Sequence, residues 1–156
     1  MYKKIMVPLD GSELAECALP HAEEIASKTG AQIILVSVTE RIQGYRPVKE
    51  YSTSSGEAML PEAGGKLQMQ GQKYLDRKAG ELRQKGIKVE TEMLMGNPAE
   101  ELTVYVKAEK CDLVIMASHG RSGPSKWTHG SVAEKVLRSS PAPVMMIRAP
   151  GCMGEH

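Results

Sequence analysis

The residues best suited to chemistry lie in the stretch MASHGRSGPSKWTHGSVAEKV, Met116 to Val136. Apolar residues run into it from Leu113, and a helical spacing, Val132, Val136, Leu137, leaves it. Gly130 and Ser131 stand directly before that helix. The first turn of a helix carries free N–H groups and the positive end of the dipole, so it suits an anion. Glycine lets a phosphate approach the backbone closely. Ser131 adds a hydroxyl donor, and Gly120 frees the chain to offer a further set of N–H groups. Arg121 and Lys126 bring positive charge nearby. The same residues also make an ordinary turn and cap, and residue type alone leaves both readings open.

Asp10, in PLDGS, is the second such place. An acid that follows the first strand of an open α/β sheet can accept hydrogen bonds from ribose hydroxyls. An Asp-Gly pair can equally turn the chain or cap a helix. His119 and His129 flank the glycine loop and could contact phosphates or transfer protons; surface histidines without a catalytic task are the preferred reading. No Cys or carboxylate stands at metal-ligand spacing from them, so no metal site is expected. The chain has no G-x-x-x-x-G-K-[ST], no G-x-G-x-x-G and no G-x-S-x-G. PLDGS is also unlike the Ser-Gly-Gly-x-Asp-Ser loop of adenylating pyrophosphatases.

Composition sets limits on partners. The 156 residues suit one domain with a sizeable core. A formal charge of +1 gives no support for general nucleic-acid binding, so any anion site is local. No apolar run approaches the roughly 18 residues of a membrane span, and the apolar stretch after Lys4 breaks at Pro8 and Asp10, too early for a secretory signal. Cys17, Cys111 and Cys152 are widely spaced and odd in number, which fits a reducing, cytoplasmic interior better than a disulfide framework.

The elements that position these residues can be read in order. KKIMVPLD gives a first strand and QIILVSV a second, with a helix between them that Ser12 caps and Gly30 ends. Pro20 falls inside that helical pattern, where a kink or a lost hydrogen bond is expected. Residues 41–65 show no period and read as a long mobile loop, either a cover for the site, with Tyr45 or Tyr51 over it, or a plain insertion. Lys66 to Lys85 is helical, with Leu67, Tyr74, Leu75 and Leu82 inward. IKVETEML is a third strand, and GNPAEEL starts a third helix with Asn97 as cap and Pro98 at its first position. DLVIMA is the fourth strand, Gly130 to Ser139 the last helix and PAPVMMIR the fifth strand, with a frayed tail over 151–156. Strands alternating with helices predict an open, doubly wound parallel five-stranded sheet with helices on both faces, order 3-2-1-4-5. That order reverses between strands 1 and 4, where ligands of such sheets bind.

IMVPLDGSE, GNPAEEL, DLVIMASHGRSG and HGSVAEKVLRSSPAPVMMIR together resemble the universal stress protein family over nearly the whole chain. Its ATP-binding members carry G-x2-G-x9-G-[ST]. Here Ala117, Gly120 and Gly130-Ser131 fall in that register, with Ala117 in place of the first glycine. The resemblance implies an ATP-binding regulator of stress responses, with or without magnesium. Pro8, Leu9 and Asp10 would border adenine and ribose, and Val38 would offer backbone contacts to adenine. Met116 and Ala117 would line the pocket, and Ser118, Gly120, Gly130, Ser131 and Val132 would surround the phosphates. It also implies a homodimer through the last strand, Val144 to Ile147. Trp127 to His129 departs from the family's usual aliphatic run. Two other functions stay open: a dimeric interaction module that binds no nucleotide, and a slow ATP hydrolase or phosphotransfer enzyme using His119 or His129. No catalytic residue is assigned.

Overall fold

β1 (Lys4–Pro8) and β2 (Gln32–Thr39) are nearly continuous apolar runs, as strands covered on both faces require. They are central to a five-stranded, all-parallel sheet with β3 (Val89–Met95), β4 (Leu113–Ala117) and β5 (Val144–Ile147), in the order β3-β2-β1-β4-β5. This is the order expected from the sequence. The computed structural model describes residues 1–40, 62–118 and 131–148, without the side chains of 62–64 and 131.

Side-chain alternation divides the core in two. Ile5, Val7, Ile33, Leu35 and Ile115 face α1 (Leu19–Thr29) and α2 (Glu62–Arg83), meeting Ala22, Ala26, Leu75 and Ala79. Met6, Ile34, Val36, Val114 and Met116 face α3 (Pro98–Ala108) and α4 (Ser131–Ser139), meeting Leu102, Val106, Val132 and Val136. Asn97 caps α3 as expected, accepting from the Glu100 amide at 3.2 Å, with Pro98 in the first turn. Among the described residues no helix is long and apolar enough to cross a membrane.

Three local expectations change. The segment after Ser12 is a short 3-10 helix, Ala15–Ala18, and α1 begins only at Leu19. Pro20 therefore sits in the first turn of α1, where its missing N–H costs nothing, and it does not interrupt the helix. The helix α2 starts at Glu62, so the last four residues of the expected 41–65 loop are helical; the rest of that loop lies outside the described residues. Leu67 is 51% exposed and does not face inward. Leu75 and Leu82 do, at 0% and 4% exposure.

Candidate functional site

β1 pairs with β2 along its whole length, from Lys4–Gln32 to Pro8–Val36. It pairs with β4 only at Ile5–Leu113 and Met6–Val114, whereas β4 continues beside β5 to Ala117–Ile147. β1 and β4 thus part at their carboxyl ends. The chain winds in opposite directions from this point, and strands of such sheets leave a crevice there. Pro8 to Asp10 form one side and Met116 to Ser118 the other.

The apolar residues expected at this site place their side chains in the core. Leu9 is fully buried on the α1–α2 face, and Val38, Met116 and Val132 fill the α3–α4 face. What they have to offer a ligand is backbone. The Val36 carbonyl turns toward β1 and accepts from the Leu9 amide at 2.8 Å. Two residues further along a strand the backbone groups turn the same way, so those of Val38 point toward β1 just past the end of its pairing. Ala117 is 7% exposed, and the next amide, Ser118 N, donates to the Ile147 carbonyl at 2.8 Å. Ser131 is the first residue of α4. Gly120 and Gly130, with His119, Arg121, Lys126 and His129, lie outside the described residues.

Among the expected residues whose side chains are described, Asp10 differs in burying a polar side chain. It is 7% exposed. Gly11 follows it at φ +86, a left-handed conformation that turns the chain away at once without the strain a Cβ would bring. Ser12 closes an Asx-turn, its amide donating to Asp10 Oδ1 at 2.9 Å and its hydroxyl donating to the same oxygen. Ser12 Oγ in turn accepts from the Ala15 amide, the first of the 3-10 helix, at 3.2 Å. Asp10 Oδ2 is buried with no hydrogen-bond partner. An unmet buried acceptor of this kind costs about 1–3 kcal/mol, more when charged.

Asp10 lines a cavity of about 210 Å³ with Gly11, Ser37, Thr39, Leu67, Gln70, Gly71, Tyr74 and Met93. This cavity lies over the ends of β1, β2 and β3 on the α2 side, one strand away from the β1–β4 crevice, and Asp10 is common to both. None of its lining residues is cationic, so it suits hydrogen-bond donors and not phosphate. Gly71 packs against Met93: a Cβ there would come within 2.8 Å of Met93 Cε, the flexible end of that side chain. The sequence reading missed Ser37, Thr39 and Tyr74 as site residues. A signal exists in QIILVSVT, where the residues facing α1 and α2 run Ile33, Leu35, Ser37, Thr39 and so turn polar where the core gives way to a site. A larger hollow of about 420 Å³ lies between α3 and α4, lined by Asn97, Thr103, Val104, Lys135 and their neighbours. Among the described residues no unpartnered buried polar atom faces it, so size alone gives it no ligand. Nor is any group of three His, Cys, Asp or Glu side chains that could hold a metal found among them.

An open parallel sheet that reverses between β1 and β4 defines the class of small doubly wound α/β domains. Within that class, the family model described as "Universal stress protein family" matches residues 1–148. The chain belongs to the universal stress protein family. It is 31% identical over 150 residues to universal stress protein MJ0531 of Methanocaldococcus jannaschii, covering 96% of this chain and 84% of that one. It is also 31% identical over 159 residues to universal stress protein MJ0577 of the same organism, covering 95% and 96%. The solved structure of MJ0577 superposes with a TM-score of 0.73, at 30% identity over 95% of this chain and 96% of the other. A universal stress protein solved in complex with cAMP shares the fold, with a TM-score of 0.65 at 20% identity, over 95% and 98% of the two chains.

Proposed function

We propose that the chain binds ATP at the carboxyl ends of β1 and β4 and acts as a nucleotide-responsive regulator of stress responses in the cytoplasm. The observation that carries this reading is the buried, unpartnered Oδ2 of Asp10, at the point where β1 and β4 part. A ribose hydroxyl supplies the donor that this oxygen lacks. Pro8, Leu9 and Asp10 border adenine and ribose, the backbone of Val38 meets the edge of adenine, and Met116 and Ala117 line the pocket. A cavity wall that bears an acid and no cation disfavours phosphates beside Asp10. They belong at the other end, around Ser118, Gly120, Gly130, Ser131 and the amide of Val132 at the start of α4, with magnesium as an ordinary companion of ATP. The cAMP held by the fold relative is also an adenine nucleotide. Calorimetric titration with ATP tests the reading: it should saturate at one nucleotide per chain. No heat up to millimolar ATP removes it, and leaves the dimeric interaction module in its place.

The second part of the proposal is a homodimer through β5. This strand ends the sheet, and its residues Val144 to Ile147 carry no charge. An edge without charge or proline invites pairing with another copy. Light scattering at micromolar concentration should give twice the chain mass, and Met145→Lys, at a position 37% exposed, should shift the protein toward monomer. A monomeric wild type contradicts the proposal.

A further inference from the structure

Behind Asp10 stands a group of side chains that the nucleotide reading does not use. Glu16 lies on the 3-10 helix six residues after Asp10. Its Oε2 accepts from the Tyr74 hydroxyl at 2.7 Å, and its Oε1 pairs with Lys78 Nζ at 2.7 Å. Tyr74 and Lys78 are one turn apart on α2, so a single face of that helix grips both oxygens of one carboxylate. The Lys78 and Glu16 side chains are only 15% and 22% exposed, which separates this pair from the solvent-screened pairs elsewhere on the surface. The Arg77 guanidinium lies 5.6 Å from the Tyr74 ring centroid and covers its outer side.

The electrostatics agree with a fixed contact. Burial pushes the Glu16 carboxyl up, but its hydrogen bonds to Lys78 and Tyr74 outweigh this and hold it below the ordinary glutamate value. Burial, followed by the bond to Glu16 and the charges of Glu16 and Asp10, drives Tyr74 well above the ordinary phenol value, so it remains a neutral donor. Tyr74 also lines the cavity that Asp10 faces. Asp10 and Glu16 are joined by the Asx-turn that Ser12 closes and by the 3-10 helix whose first amide, Ala15 N, donates to the same hydroxyl.

We propose that Tyr74 and Lys78, by clamping Glu16, position the Asp10 carboxylate for its ligand. α2 thereby sets the geometry of a residue more than sixty positions earlier in the chain. Tyr74, Glu16 and Lys78 are positioning residues. They touch no phosphate and act through the turn that carries Asp10. This rests on the nucleotide reading for the identity of the ligand, but not for the clamp's hold on Asp10.

The test has an arm with nucleotide and an arm without it. Ser12 donates its amide to Asp10 Oδ1, so that amide's hydrogen exchange in nucleotide-free protein reports the hold on the carboxylate. Tyr74→Phe removes only the hydroxyl. It should speed Ser12 exchange about tenfold without changing amides in the centre of the sheet, and weaken ATP binding about fivefold. Glu16→Ala should do the same, and Glu16→Gln, which keeps an oxygen for Tyr74 but sets an NH₂ group against Lys78 Nζ, should recover only part of the loss. In an Asp10→Asn background, Tyr74→Phe should add nothing to the loss of ATP affinity. Unchanged Ser12 exchange overturns the clamp. So does an equal loss of ATP affinity in both backgrounds, since a purely structural defect acts alike in each. If the wild type binds no ATP but Ser12 exchange responds as stated, the nucleotide reading fails and the clamp stands.

Discussion

Asp10→Asn should weaken ATP binding by at least about tenfold and leave the sheet intact. The substitution is nearly isosteric. Its remaining oxygen can still accept from the Ser12 amide, which is the bond that shapes the turn. What changes is the other atom: the unpartnered Oδ2 becomes an NH₂ group, a donor facing the ligand's own donor. A hydrogen bond to a charged acceptor contributes about 1.5–3 kcal/mol, and each 1.4 kcal/mol is a factor of ten in affinity. Unfolding by denaturant should show a much smaller change, because the amide oxygen keeps the bonds from Ser12 that shape the turn. Equal ATP affinities for wild type and Asp10→Asn would remove this carboxylate from the site.

Gly130→Asp should abolish ATP binding outright. The substitution places a negative side chain directly before Ser131, where α4 begins. The free amides and the dipole of a helix start favour an anion, and a carboxylate occupies that position in competition with phosphate. Like-charge repulsion with a triphosphate adds to the loss. AMP, with fewer charges, should suffer less than ATP. Undiminished ATP affinity by calorimetry would take the glycine loop out of the phosphate site, while the adenine and ribose contacts at Asp10 would be untouched by that result.

The sheet is legible in the sequence because each of its signals is local. KIMVP, QIILVSVT and LVIMA are apolar runs bounded by glycine, proline and charge, and their alternation with helical spacing leaves little choice of topology. The place of Asp10 follows from the strand order, since the residues just after β1 must stand at the reversal. Its orphaned oxygen does not, because satisfaction of a polar atom depends on everything packed around it. The same applies to the cavity wall. Ser37, Thr39, Tyr74 and Met93 come from three elements far apart in sequence, and helix periodicity alone assigned Tyr74 to the core. Leu67 misled for a related reason: it falls on the face that points along α2 toward the sheet, but near the helix start that face looks over the cavity and not onto β3. Pro20 was misplaced because a 3-10 turn and an α-helix share nearly the same apolar spacing over four residues.

The most direct measurement is a four-way calorimetric titration, with ATP and 2′,3′-dideoxy-ATP each added to wild type and to Asp10→Asn. A ribose hydroxyl on Asp10 Oδ2 predicts that wild type binds ATP, that removal of the hydroxyls or of the carboxylate each weakens binding by about tenfold or more, and that the two changes together cost no more than either alone. If wild type binds both nucleotides equally, or the two losses simply add, Asp10 does not hold the ribose.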